Sequence, residues 1–168
     1  MNIFYTNVVP DVAARELPDK HIVKMPVEAV QMLVSACNRW GVDHGVLTKA
    51  GTVHQGGYSN HPCTLWAGEC RSNFHWTLAW GKALCEEYTK RYGKRHFAEG
   101  QIDTLSDWSI RQTLPINGGH MTTPALAMPD ECKTTDPVES YKNCIRAKVA
   151  EKPKSFVWAK GTDAPSWL

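Results

Sequence analysis

Two stretches of this chain, residues 20–39 and 64–92, keep a helical alternation of apolar and polar residues and leave room for little else. A helix of about 20 residues already spans roughly 30 Å, the width of a small domain. In the first, Ile22, Val23, Val27, Val30, Leu33 and Val34 recur at helical spacing, with Asp19 as the expected N-cap and Gly41 as the stop. Pro26 lies inside it and predicts a kink near Ile22, because proline removes one backbone bond. The second stretch predicts one long helix from Thr64 to Tyr92, ended by Gly93. Shorter helices are expected at 10–17, 95–113 and 137–151, with irregular chain at 41–62 and 114–135. Asn2 to Thr6 alternates and is rich in aromatic and β-branched residues, so a short strand is expected there. The fold class is therefore mainly α: a helical bundle with a short N-terminal strand element, in one domain over 1–168.

The net charge of +2 excludes a protein that coats nucleic acid by bulk charge, although a local basic face remains sufficient for a few phosphates. The six cysteines form no C-x-x-C pair and read as reduced, buried thiols. The opening residues lack a secretory pattern and no apolar run approaches the roughly 20 residues of a membrane span, so a cytoplasmic protein is expected. His54, His61, Cys63 and Cys70 are the only group to weigh as zinc ligands, and they lack the usual paired spacing. Neither a phosphate loop nor a dinucleotide fingerprint is present, so no metal and no cofactor are called for.

Three clusters carry candidate chemistry. Lys20, Lys24, Glu28 and Gln31 fall on one helical face. That face reads either as a solvated surface with i,i+4 ion pairs or as a pocket wall. In the second reading Lys20, His21 and Lys24 hold an anion, Glu28 is a base and Gln31 orients the substrate. On the second long helix Trp66, Glu69, Asn73, Trp76, Trp80 and Leu84 fall within an arc of about 80° at 100° per residue. Either Glu69 pairs internally with Lys20 or Lys24, or Glu69 and Asn73 line a polar cavity walled by Trp66 and Trp76. Lys90, Arg91, Lys94 and Arg95 are basic residues interleaved with aromatic ones. They are either a helix C-terminus favoured by the dipole or a contact to DNA phosphates.

Several segments together resemble a family of small proteins encoded mainly by bacteriophages. They are Met1 to Tyr5, Asp19 to Met25 with Glu28 and Gln31, and Asn60-His61-Pro62 with Trp66. Glu87-Tyr88, Arg91 to Lys94, Ala127 to Glu131, Tyr141 and the closing Pro165-Ser166-Trp167 follow in the same order, so the resemblance covers nearly the whole chain. It implies an amino acid:DNA transferase of thymine hypermodification, which replaces pyrophosphate on 5-pyrophosphoryloxymethyl-uracil in DNA with an amine. Its partners would be DNA carrying the modified thymine and a small amine or amino acid. Lys20, His21 and Lys24 would hold the pyrophosphate, and Glu28 or Glu69 would deprotonate the amine. His61, beside Asn60, would act as an acid or phosphate ligand, and Trp66 and Trp76 would receive the base. Other members of the family carry the label pyrimidine-dimer glycosylase. Pro26 departs from the unbroken helix usual there. Two rivals remain. A DNA repair glycosylase or nuclease would use Lys20 or Lys24 as an amine nucleophile. A non-enzymatic DNA-binding or host-interaction protein would not need the Lys/Glu stripe.

Overall fold

The computed structural model describes residues 1–111 and 119–168. The helices are α1 (Pro10–Arg15), α2 (Asp19–Arg39), α3 (Pro62–Ala67), α4 (Arg71–Tyr92), α5 (Glu99–Arg111) and α6 (Pro137–Glu151). No sheet forms among the described residues; a single antiparallel bridge joins Leu47 and Val53 within the loop after α2. The mainly α architecture is as expected. No helix is long and apolar enough to cross a membrane, among the described residues.

The centre of the molecule is the α2–α4 pair, with α1 on α4, α3 on α2, and α5 against both. Close approach is set by Gly81. A Cβ there would lie 3.2 Å from that of Ala29 and 2.7 Å from Ile102 Cδ1, so α2, α4 and α5 meet where one side chain is missing. Met25, Met32, Leu33, Phe74, Trp80, Leu84 and Leu105 fill the space around this crossing. From α6, Tyr141 and Ile145 join the same core.

Four local expectations are corrected. Residues 64–92 do not form one helix: α3 ends at Ala67, and Gly68, Glu69 and Cys70 separate it from α4. A Cβ on Gly68 would lie 2.9 Å from that of Ala36, so the break is where the chain presses on α2. Helix α2 runs unbroken through Pro26, which is buried on it. Asp19 is not the N-cap of α2; Pro18 holds that place, and the Asp19 carboxylate is directed to Arg91 and to the Ala159 N–H. The expected strand at residues 2–6 is absent. The segment has no partner strand among the described residues, and its N–H groups find other acceptors: the Asn2 side-chain oxygen takes those of Ile3 and Phe4 at 2.8 and 3.1 Å. Phe4 adopts φ +39°, a left-handed backbone uncommon for a bulky residue. The last two residues of the expected helix 95–113 lie outside the described residues, as do 114–118 of the expected irregular stretch.

Candidate active site

The segment from Met1 to Thr6 runs antiparallel along α2, packed into the interior. Asn2 lies at Glu28, and Phe4 stacks on His21, seven residues earlier on the same helix face, with ring centroids 4.3 Å apart. Ile3, Phe4, Tyr5 and Thr6 are all buried. The Asn2 side chain reaches the Ala127 carbonyl at 3.1 Å, which ties the segment to the chain before α6.

Glu28 is the chemical centre of this arrangement. It is 7% exposed, and burial of a carboxylate demands compensation. One oxygen, Oε2, receives the Asn2 N–H at 3.1 Å and lies 3.5 Å from the α-amine of Met1. The other, Oε1, faces Lys24 Nζ at 2.8 Å. The Met1 side chain is covered while the residue as a whole is only partly buried, so what Met1 offers to solvent is main chain. A chain-terminal amine is thus held against a buried carboxylate at the edge of the core.

Two further groups face this pair. His61 begins α3, its Nδ1 accepting the Cys63 N–H at 3.2 Å. Its pKa is lowered, first by burial and then by the charge of the terminal amine, with Glu28 acting in the opposite direction. Cys63 is fully buried, 3.8 Å from the Tyr141 hydroxyl, and burial pushes its thiol up to about 11. It is therefore a protonated packing residue near neutral pH, not a nucleophile. Tyr141 donates in turn to the Ala125 carbonyl at 2.5 Å.

The rest of the stripe is divided. Lys20 is exposed and lies over the Phe156 ring at 4.2 Å, away from Glu28. His21 is buried, and its pKa falls to about 3, first through burial and then through the charges of Lys20, Lys24 and Lys148. It is neutral across the physiological range. Gln31, one turn beyond Glu28, packs under Gly57 of the loop that leads to Asn60 and His61; Asn60 is exposed. The sequence reading had no signal for the terminal amine, which is a main-chain group with no residue letter of its own.

Expectations for the tryptophan face are corrected by hydrogen bonding. Asn73 is fully buried and spent on structure: its amide donates to the Trp66 carbonyl at 2.8 Å and to Thr122 Oγ1 at 2.7 Å, and its oxygen accepts from Thr122 N–H at 3.1 Å. Glu69 lies exposed in the break before α4 and accepts from Thr122 Oγ1 at 2.8 Å, not from Lys20 or Lys24. Trp66 and Trp76 meet edge-on inside the core and donate to the carbonyls of Thr122 and Val8, so they do not wall an open cavity together.

The basic cluster is divided too. Arg91 is fully buried. Its guanidinium binds Glu87 Oε1 at 2.9 Å, Asp19 Oδ1 at 3.1 Å and the carbonyls of Leu17 and Arg15 at 2.8 and 2.9 Å, which removes it from any phosphate. Lys90, Lys94 and Arg95 are exposed, Arg95 pairing with Glu99 at 2.8 Å. No three His, Cys, Asp or Glu side chains gather into a metal-binding group among the described residues. His54, His61, Cys63 and Cys70 are each engaged separately, by Gly56, Cys63, Tyr141 and His120.

Residues 1–99 match the model of the family described as pyrimidine dimer DNA glycosylase. No curated protein and no solved structure matches the chain. The family match overturns the transferase expected from the resemblance. The geometry gives the physical reason. The start of α2 does not form a pyrophosphate cradle: Lys20 covers Phe156, and His21 is neutral and buried. The helix terminus itself is closed by Val157 and Ala159, whose carbonyl and N–H engage Asp19. Spanning more than half of the 168 residues, including the terminus, Glu28 and His61, the match identifies the chain as a member of the pyrimidine dimer DNA glycosylase family.

Proposed function

We propose that this protein excises pyrimidine dimers from DNA, with the α-amine of Met1 as nucleophile and Glu28 as the group that manages its proton. The observation that carries this reading is the pairing of a terminal amine with a buried carboxylate, 3.5 Å apart, within the region matched to the glycosylase family. Amine nucleophiles attack an electrophilic carbon only as the free base, and a neighbouring carboxylate takes up the proton that must leave.

In the proposed reaction the amine lone pair forms a bond to C1′ of a dimer deoxyribose. The N-glycosidic bond breaks, and its electron pair leaves with the pyrimidine, which is protonated. The new C–N bond becomes an imine once the sugar ring opens, with Glu28 accepting the proton lost from nitrogen. In this reading His61 donates to the departing base or to the ring oxygen. Lys24, exposed at the other Glu28 oxygen, orients the carboxylate and meets the phosphate backbone together with Lys90, Lys94 and Arg95. Lys20, over the Phe156 ring, has no part in this reading.

Borohydride reduction tests the reading directly. Incubated with a duplex carrying one thymine dimer, the protein should be captured as a covalent DNA adduct, and peptide mass mapping should place the adduct on Met1. Adding one residue before Met1 should abolish capture. An adduct mapped to Lys20 or Lys24, or no adduct with folded protein, would overturn it.

A further inference from the structure

Tyr58 is 69% exposed and adopts φ +52°, a left-handed backbone that bulky residues rarely take. It does not hang from a loose loop. The Gly57 N–H donates to Ser35 Oγ at 2.9 Å, Ser35 Oγ donates back to the Gly57 carbonyl at 3.1 Å, and Arg39 binds the Ser59 carbonyl. The His61 N–H closes the turn onto the Tyr58 carbonyl at 2.9 Å. Contact with α2 is so close that a Cβ on Gly56 would sit 2.3 Å from Ser35 Oγ, and one on Gly57 3.2 Å from the Gln31 side chain. The loop is therefore clamped to the helix turns that follow Glu28, and it continues directly into His61 beside the terminal amine. The outcome is an exposed aromatic ring carried on a clamped backbone, three residues before His61.

We propose that Tyr58 is a stacking wedge: its ring enters the base stack of duplex DNA beside the lesion and takes the place of a displaced base. This rests on the glycosylase reading above. Bases in duplex DNA shield C1′, and an enzyme that attacks there has to open the stack. A ring on a pre-formed loop fills the gap with little loss of backbone freedom, and its stacking is indifferent to sequence because every base has a π-face.

The test compares wild type, Tyr58→Ala and Tyr58→Phe on two duplexes, one with a thymine dimer and one with a pre-formed abasic site. A 2-aminopurine placed opposite the lesion reports unstacking. Tyr58→Ala should lose about tenfold or more in excision at the dimer, the scale of one base–aromatic stack. It should also lose the 2-aminopurine rise, yet keep borohydride capture at the abasic site within about twofold of wild type, since no base there has to be expelled. Tyr58→Phe should match wild type throughout. Wild-type rates for Tyr58→Ala at the dimer would overturn the wedge. So would an equal loss on both substrates, which places the defect in the chemistry, or failure of Tyr58→Phe, which makes the hydroxyl the active part. A wild-type protein that neither excises nor is captured would overturn the glycosylase reading and the wedge with it.

Discussion

Glu28 and Glu87 are buried to nearly the same degree, 7% and 8% exposed, and both sit in ion pairs, yet their surroundings are built for different ends. Around Glu87 one oxygen is taken by the buried Arg91 and by Thr162, while the exposed Lys90 lies 3.5 Å from the other. Burial pushes its carboxyl up, but hydrogen bonds from Arg91 and Thr162 and the charges of Arg91 and Lys90 outweigh this and hold it below the usual range. Arg91 uses the rest of its fork on Asp19 and two carbonyls, which ties α1, α2, α4 and the chain near 157–162 into one knot. Around Glu28 the partners are an exposed lysine, one backbone N–H and a terminal amine at 3.5 Å. In the first cluster the buried donor, Arg91, spends its hydrogen bonds within the protein. The second keeps a reactive nitrogen next to a proton acceptor. Burial of charge alone does not mark a site; what marks it is a partner that chemistry could use.

The sharpest way to break this comparison is Glu28→Gln. Excision and borohydride capture should fall by about 10³-fold in single-turnover assays. The urea midpoint should stay close to wild type, because the amide still accepts from Asn2. A variant that unfolds while keeping its rate per folded molecule would make Glu28 a strut like Glu87. The converse change is Arg91→Met. It should cost about 3–5 kcal/mol in urea unfolding by leaving Asp19 and Glu87 buried without their cation, while capture per folded molecule stays within about twofold. A cost below about 1 kcal/mol would mean that the knot is not what holds the helix ends.

Acid should separate the two regions further. Because the folded pKa of His21, about 3, lies below its ordinary 6.5, the unfolded chain binds the extra proton first, and stability falls as pH drops through that window. Glu87, with its pKa held low, adds a loss only further into the acid range. Between pH 7 and pH 5 the His21 contribution is about 2 kcal/mol. His21→Phe should make the fall in stability over that interval shallower by about that amount and keep the stack on Phe4, the other histidines with lowered pKa leaving a residual slope. The smallest effect is expected from Lys24→Ala, less than about fivefold on excision, since a pair with an exposed lysine is worth under about 1 kcal/mol. A loss equal to that of Glu28→Gln would instead place Lys24 in the reaction.

Much of the helical frame could be read from residue order, because its signals are local. Gly93, at φ +67°, stops α4, and Asp136 caps α6 through Val138 N–H ahead of Pro137, as turn and cap chemistry dictate. Glu28 was singled out by periodicity, and the described geometry brings it to the terminal amine. What residue order concealed were relations set by tertiary contact. The break at Gly68 to Cys70 follows from pressure on Ala36, which no spacing rule contains. The run Lys90, Arg91, Lys94 and Arg95 looks like one basic face, but Arg91 turns inward to Asp19, which is 72 residues away. Asn73 looked like a site residue because a polar group among tryptophans has to be satisfied somewhere, and Thr122, 49 residues on, satisfies it.

The pinning of the first residues also has a consequence for the order of assembly. Asn2 bonds Ala127, and Phe4 packs against Tyr141, so the segment that presents the amine cannot reach its final position until residues more than 120 positions later have been synthesised. Contacts of such long sequence separation close late in folding. The α2–α4 core can form while the chain is still incomplete, but the amine, Glu28 and the wall behind them come together only at the end. On the proposed function, a partly made chain therefore lacks the assembled amine and carboxylate.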